Sequence, residues 1–342
     1  MSGRGLLRAL GRWTIRGLGG LFVLAIALSL SGFVIEHFTA ESESARFRPR
    51  DQMAVVEGHR IHLHCVGQGG PTVVLEPGWG LPSLVWAWVQ AAVAEKSRVC
   101  IYDRAGYGWS DPTDAPTDAV NTSRQLYALL KTARIPEPYV LVGHSIGGAY
   151  MRMFATEYSD AVAALILVDP SSPIGVDWSL LPKPSALVRT SQYYFATMGG
   201  ARLLLALGFF NFWSDLPPEQ RAEVKALLCS PKRVEAAMKE LDSLADTLKQ
   251  ISTRGNLGSL PLTVIYSEQI GRPNPHVLNM DANKAATMAE MIEKQKRYWL
   301  DSSTNSRLLI IPGADHISVL TNKEHAKALA DAIVSVLESL RG

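Results

Sequence analysis

The sequence predicts an α/β fold built on a mostly parallel β-sheet with helices on both faces. Apolar runs of strand length recur with helix-length segments between most of them, and continuous apolar runs are typical of parallel strands buried on both faces. The runs are TVVLE, SRVCIYD, YVLVGHS, AALILVD, LTVIYS and SRLLIIPG. Ahead of them, MAVVEGHRIHLHCVG alternates around Gly58 and His59, which predicts an antiparallel hairpin that opens the sheet. Ligands of such sheets bind beyond the carboxyl ends of the strands.

The composition indicates a globular protein. The 342 residues are 47% hydrophobic and 19% charged, which is enough apolar material for one large domain with additional segments. The net charge of +2 comes from intermixed acids and bases, so a nucleic-acid partner is not expected.

The cysteines and histidines predict neither a metal site nor a bound cofactor. Cys65, Cys100 and Cys229 are few and scattered and form no CxxC pair, so they are expected to be buried thiols. His62 and His64 share one face of a predicted strand, but a third ligand is missing nearby.

An uncharged apolar run near the N-terminus predicts a transmembrane helix. It covers residues 17–35, close to the roughly 20 residues that cross a bilayer. Arginines precede it and glutamates follow it, so the positive-inside rule leaves the basic segment 1–16 in the cytoplasm and sends the remaining chain across the membrane. Small residues at Ser29 and Ser31 offer an alternative, signal-peptide cleavage followed by secretion. An uncleaved signal anchor is favoured because the apolar run continues to Ile35.

The rest of the chain divides into a linker, a main domain and an insertion. The polar composition of residues 36–50 predicts a linker, and residues 51–342 form the main domain. At about residues 172–259 the strand pattern stops, and KRVEAAMKELDSLADTLKQIS has the apolar spacing of an amphipathic helix. The insertion is therefore expected to be a helical cap before the last two strands. Its segment GGARLLLALGFFNFW predicts either a buried cap helix or an apolar lid or membrane-contacting patch.

Two motifs at strand ends point to a nucleophile and a base. Ser145 lies in a G-x-S-x-G pattern between an apolar strand and a helix-compatible segment, where a sharp turn holds a serine hydroxyl clear of the sheet. A neutral serine is a poor nucleophile and needs a base, usually a histidine oriented by a carboxylate. His316 follows the last predicted strand and would reach the same sheet edge. His144 is expected to be a packing residue that points away from the serine.

Over residues 52–342 the chain resembles the α/β-hydrolase family. The resemblance rests on GHSIGG, on the late GADH and on YDRAGYGWS, in which Asp103 and Arg104 are expected to form a buried pair that fixes a loop. It implies an oxyanion hole made by the N–H groups of Trp79 and Ile146, because EPGWG matches the family's His-Gly-x turn with proline in place of histidine. The serine at the elbow argues against the dehalogenase and epoxide-hydrolase branches, which use aspartate there.

The catalytic acid is the open point of this resemblance. The usual member carries an aspartate three positions after a small residue at the end of the penultimate strand, and here that position is Ile270. Asp169, after the strand that follows the nucleophile strand, is the favoured acid, and Glu268 is the alternative. Asp281, or no acid at all, is the remaining possibility.

Together with the predicted N-terminal helix, the resemblance implies a membrane-anchored serine hydrolase that cleaves a carboxylic ester, with a lipophilic or acyl substrate favoured. Thioester, lactone, amide and carbon–carbon bond hydrolysis and perhydrolysis share the same machinery and are alternatives. The competing class is a non-catalytic, membrane-tethered binding protein on the same fold.

Overall fold

The computed structural model describes residues 3–175, 183–209, 211–270 and 282–342. Within them one eight-stranded sheet has the order β1-β2-β4-β3-β5-β6-β7-β8. The strands are β1 (Gln52–Val56), β2 (His59–Val66), β3 (Thr72–Glu76), β4 (Val99–Tyr102), β5 (Tyr139–His144), β6 (Val162–Val168), β7 (Leu262–Ser267) and β8 (Ser306–Ile311). β1 pairs antiparallel with β2 and β2 with β4, and the other pairings are parallel. The predicted hairpin and the mostly parallel sheet are confirmed.

Helices cover both faces of the sheet, as predicted. They are α1 (Gly3–Arg46), α2 (Ala87–Ala94), α3 (Ala119–Thr132), α4 (Ile146–Glu157), α5 (Ala186–Thr197), α6 (Gly200–Ala206), α7 (Pro218–Cys229), α8 (Pro231–Ser252), α9 (Ala282–Leu300), α10 (Ser318–Thr321) and α11 (Lys323–Arg341). Successive strand residues alternate between two cores: Leu141 packs on the side of α3 and α4, whereas Val140 and Val142 pack on the side of α2 and α11. This double burial explains the unbroken apolar runs.

The parallel centre of the sheet brings four strand ends to one edge. β5, β6, β7 and β8 are consecutive neighbours with the same direction. Ser145 directly follows β5 and Asp169 directly follows β6, while His316 lies in the loop between β8 and α10. The strand order thus brings His316 close to two residues that lie 147 and 171 positions earlier in the chain.

The cysteines differ from the prediction of three thiols. Cys65 on β2 and Cys100 on β4 are register partners, and they form a disulfide with a Cα–Cα distance of 4.1 Å. Cys229 is a buried free thiol, as expected. The pairing escaped prediction because β2 and β4 are not consecutive strands, so their adjacency is a property of the folded sheet.

The N-terminal helix is longer than predicted. α1 includes the predicted span 17–35 and continues to Arg46. Most of the segment 36–50, which was expected to be a linker, is therefore helical. Its continuation is held by Arg202 of α6, which forms ion pairs with Glu36 and Glu43. Among the described residues, Arg16–Arg46 is the one helix long and apolar enough to cross a membrane.

The cap is helical, as predicted, and consists in the described residues of α5 to α8 between β6 and β7. α8 buries Leu248 and Ile251 of its predicted apolar stripe, together with residues that the sequence did not single out. Ala236, Ala237 and Glu240 are buried, whereas Val234 and Met238 are half-buried. A buried carboxylate on the inner face of the cap requires a partner, which the site provides.

Candidate active site

Ser145 lies at the strained turn that joins β5 to α4. Its φ of 56° and ψ of −124° place a non-glycine residue in a region that few residues adopt without a structural reason. The backbone after β3 packs closely against this turn. A side chain on Gly147 would not fit, because its Cβ would lie 2.6 Å from the carbonyl oxygen of Pro77. The two glycines that define the motif therefore admit neighbouring backbone, and the serine remains half-buried at the sheet edge.

His316 bridges Ser145 and Asp169. The Ser145 Oγ lies 3.2 Å from His316 Nε2, and Asp169 Oδ2 lies 3.4 Å from His316 Nδ1. With the Nδ1 proton donated to Asp169, Nε2 is an acceptor for the serine hydroxyl. These are the contacts of a nucleophile, a base and an orienting acid in the order Ser, Asp, His along the chain.

Asp169 is held rigidly as an anion. Its carboxylate is buried, and it accepts hydrogen bonds from the Ser267 N–H at 2.8 Å and the Ser267 hydroxyl at 2.5 Å. Burial alone would raise the pKa of Asp169, but the hydrogen bonds from His316 and Ser267 outweigh it and hold the pKa below its usual value. Ser267 lies at the end of β7, where the family usually leads to its acid, and it fixes the Asp169 carboxylate, which comes from the neighbouring strand β6.

The structure places Glu268 differently. Its Oε2 accepts a hydrogen bond at 2.8 Å from the N–H of Gly313, in the loop that leads from β8 to His316. This contact stabilises the loop. Asp169, not Glu268, is the carboxylate that contacts His316 Nδ1. Asp281, the third candidate, lies outside the described residues.

Two backbone N–H groups are available beside the serine. No described residue accepts a hydrogen bond from the N–H of Trp79 or of Ile146. Ile146 is the first residue of α4, where helix geometry leaves N–H groups without helical partners. The loop that contains Trp79 lies next to Ser145: a Cβ added to Gly78 would be 3.1 Å from the Ser145 Cβ. The Trp79 indole donates to the Ala237 carbonyl at 2.8 Å, which ties this loop to α8.

His144 contacts the backbone of His316. It is fully buried, and its Nε2–H donates to the His316 carbonyl oxygen at 2.8 Å, with the two rings 4.5 Å apart. Burial lowers the pKa of His144 to about 3, so the ring is neutral at physiological pH. The sequence predicted a packing residue, and the contact with the backbone of His316 is the part that it did not reveal.

A buried ionic network lies behind the Trp79 loop. The Arg104 guanidinium pairs with Glu76 and, at 3.1 Å, with Glu240 of α8, and it donates to the carbonyl oxygens of Pro77 and Gly78 at 2.8 and 3.0 Å. Burial raises the pKa of Glu76 to about 7, against the attraction of Arg104. Arg104 therefore holds the backbone directly before the Trp79 N–H and links it to the cap.

Asp103 and Arg104 are both buried, but they do not form the pair that the sequence suggested. The Asp103 carboxylate accepts hydrogen bonds from the His62 ring at 2.9 Å and from the Ser83 N–H at 2.8 Å. Arg104 forms its ion pairs with Glu76 and Glu240 instead. Neighbouring residues leaving a strand point to opposite sides, so the two charges serve different loops.

One group of metal-capable side chains coincides with this site. Among the described residues, His144, Asp169 and His316 offer ligand atoms within 4.8 Å of one another. Asp169 already accepts from Ser267 and His316, and His144 donates to a carbonyl oxygen. These contacts fit a hydrogen-bonded relay better than a set of free metal ligands.

Comparison with known proteins gives the same fold. A sequence model described as the alpha/beta hydrolase family matches residues 73–332, which is most of the chain. The Cif epoxide hydrolase from Acinetobacter nosocomialis superimposes with a TM-score of 0.62 at 17% sequence identity, covering 91% of this chain and 96% of that chain.

Two curated relatives match parts of the chain at the same level of identity. An uncharacterized protein of Bacillus subtilis (strain 168) is 28% identical over 195 residues, or 56% of this chain and 57% of that protein. The pimeloyl-[acyl-carrier protein] methyl ester esterase of Vibrio atlanticus (strain LGP32) is 28% identical over 232 residues, or 63% of this chain and 86% of that protein. The chain spans about half the length of several curated relatives that it matches. The match to the family model and the observed fold show that this chain belongs to the alpha/beta hydrolase family.

Proposed function

We propose that the protein is a serine hydrolase that cleaves a carboxylic ester, with Ser145, His316 and Asp169 as its catalytic triad. The observation that carries the proposal is the relay of two contacts, 3.2 Å and 3.4 Å long, that ends on a serine at a strained turn. The esterase of Vibrio atlanticus among the relatives supports an ester as the substrate class.

The reaction would proceed by acyl transfer. His316 takes the proton of Ser145 as the hydroxyl attacks the ester carbonyl, and Asp169 stabilises the imidazolium that forms. The N–H groups of Trp79 and Ile146 stabilise the developing oxyanion, because neither donates to a described residue and both lie next to the serine turn. His316 then protonates the leaving alcohol. A water molecule that is activated by the same histidine releases the acid and restores the serine.

A fluorophosphonate probe tests this proposal, because it reacts covalently with an activated serine. The full-length protein in detergent should be labelled at Ser145, and the Ser145→Ala variant should lose the labelling. Ser339→Ala is the matched control, since Ser339 bonds its own helix in α11 and should leave labelling unchanged. Absence of labelling in folded protein, checked by circular dichroism, would favour the non-catalytic binding protein. A panel of thioesters, lactones and amides then separates the other hydrolytic reactions.

We also propose that α1 anchors the protein with its N-terminus in the cytoplasm and the catalytic domain across the membrane. The basic residues before the span and the disulfide between Cys65 and Cys100 support this orientation, because disulfides persist in oxidising compartments. A C-terminal fusion to alkaline phosphatase should be active, since that enzyme matures outside the cytoplasm. A fluorescent C-terminal fusion to green fluorescent protein, with an inactive phosphatase fusion, would show the opposite orientation. A mature protein whose mass corresponds to cleavage at about Ser31 would show secretion after signal-peptide removal.

A further inference from the structure

The cap exposes large apolar residues on α5, on α6 and in the turn that follows α6. Leu187 is 78% exposed and Leu207 66% exposed, and Tyr194, Phe195, Leu203 and Phe209 are exposed beside them. Single exposed apolar residues are ordinary, but a cluster of this kind marks a surface that contacts something other than water. We call these six residues the cap patch.

The cap patch continues onto the apolar part of α1. A groove of about 490 Å³ separates the two elements and is lined by Phe22, Ile26, Leu30 and Phe33 of α1 and by Tyr194 and Met198 of the cap. All four α1 residues belong to the predicted span 17–35. The end of α5 therefore lies alongside the segment that would cross the bilayer, and from Phe33 to Phe22 a helix descends about 16 Å.

Two contacts fix this arrangement. Arg202 of α6 binds the carboxylates of Glu36 and Glu43 through four hydrogen bonds of 2.8 to 3.1 Å. Glu36 is the first charged residue after the span and is only 4% exposed. A Cβ on Gly32 would collide with the Met198 carbonyl oxygen, so the backbones of α1 and the cap are in direct contact there. The ion pairs thus mark the level at which charge ends and apolar surface begins.

We propose that the cap patch is embedded in the outer leaflet of the membrane, with lipid acyl chains in the groove between α1 and α5. The occupant follows from continuity, because the groove places Tyr194 of the cap patch beside the apolar residues of the α1 span. The apolar face of an interfacial helix typically lies about 5–10 Å into the headgroup and acyl boundary. The inference rests on the proposed anchor and deepens the proposed function, since it makes an ester that resides in the leaflet the substrate that reaches Ser145.

Depth-dependent fluorescence quenching tests the contact. Full-length protein carrying Leu207→Cys or Leu187→Cys is labelled with an environment-sensitive fluorophore and reconstituted in phosphatidylcholine nanodiscs. Val55→Cys is the matched control, because Val55 is a 59% exposed apolar residue on β1, outside the span 17–35 and outside the cap patch. Unsubstituted protein gives the background labelling of the buried Cys229.

A nitroxide attached to the lipid acyl chain should quench both cap labels several-fold more than a water-soluble nitroxide, and the control label should show the reverse order. Quenching of both cap labels only by the water-soluble nitroxide would overturn the proposal. Arg202→Gln should weaken lipid quenching of the cap labels while turnover of a water-soluble ester is retained. Glu43→Gln, which removes one of the two carboxylates, is the milder variant if Arg202→Gln does not fold.

The same samples separate this inference from the proposed function. Lipid quenching without any turnover of soluble ester contradicts the hydrolase and supports the leaflet contact. Turnover of soluble ester with cap labels that only the aqueous nitroxide reaches supports the hydrolase and contradicts the leaflet contact.

Discussion

Replacing Asp169 with asparagine should lower kcat/KM for a p-nitrophenyl ester by about four orders of magnitude. The asparagine amide keeps the shape of the buried site, and it can still accept from the Ser267 N–H. It lacks the charge that stabilises the His316 imidazolium, and it no longer fixes the proton on Nδ1, so the histidine adopts the wrong tautomer. Steady-state kinetics of purified protein in detergent measure the loss.

Glu268→Gln is the matched control for this change. It also replaces one carboxylate by an amide at the end of a neighbouring strand, and the amide oxygen can still accept from the Gly313 N–H. We expect kcat/KM to remain within a few-fold of the native value. A large loss in Glu268→Gln together with near-native turnover in Asp169→Asn would assign the acid to Glu268, and retention of turnover in both folded variants would leave neither as the acid.

Replacing Arg104 with methionine should lower the free energy of unfolding by about 3–5 kcal/mol. The guanidinium is buried between Glu76 and Glu240, and two carbonyl oxygens of the Trp79 loop also depend on it. Methionine fills much of the volume but leaves two buried carboxylates without their cation, which is the costly way to disrupt an ionic network. Urea unfolding of the full-length protein, followed by circular dichroism, measures the change.

Arg60→Met controls for the loss of an arginine. Arg60 also pairs with a carboxylate, Asp111, but its side chain is 65% exposed, and exposed ion pairs contribute little to stability. Similar unfolding curves for the two variants would show that the buried network does not stabilise the fold. Because Arg104 acts on the proposed oxyanion donor Trp79 only through the backbone of Pro77 and Gly78, a residual activity defect in its folded variant should appear in kcat rather than in KM.

The proposed nucleophile and base could be predicted from the sequence because their signals are local. The turn that holds Ser145 needs glycines at fixed positions between a strand and a helix, and His316 follows the last strand in the order that the family keeps. The acid could not be decided, because it depends on which of two adjacent strand ends faces the histidine. Ser267 donates hydrogen bonds to Asp169 from both its N–H and its hydroxyl. The two residues are 98 positions apart, so no local sequence pattern predicts this contact.

The fold class was predictable from the apolar runs, whereas the features fixed by long-range contacts were not. The disulfide depends on the adjacency of β2 and β4, and the extension of α1 depends on Arg202, which lies 166 positions from Glu36. Glu240 appeared as a polar residue of an amphipathic helix, although it is buried against Arg104. Each of these residues is polar or small, and its burial becomes favourable only when a distant partner arrives.

The unbroken course of α1 limits where the proposed enzyme can act. Because the helix continues to Arg46 and is paired to the cap, a domain anchored by α1 as proposed would have little freedom to rise from its own bilayer or reach an opposing one. Encounters with substrate then occur in two dimensions. The rate should follow the mole fraction of ester among the lipids of the host membrane, so that dilution of the vesicles at fixed composition leaves turnover per enzyme unchanged.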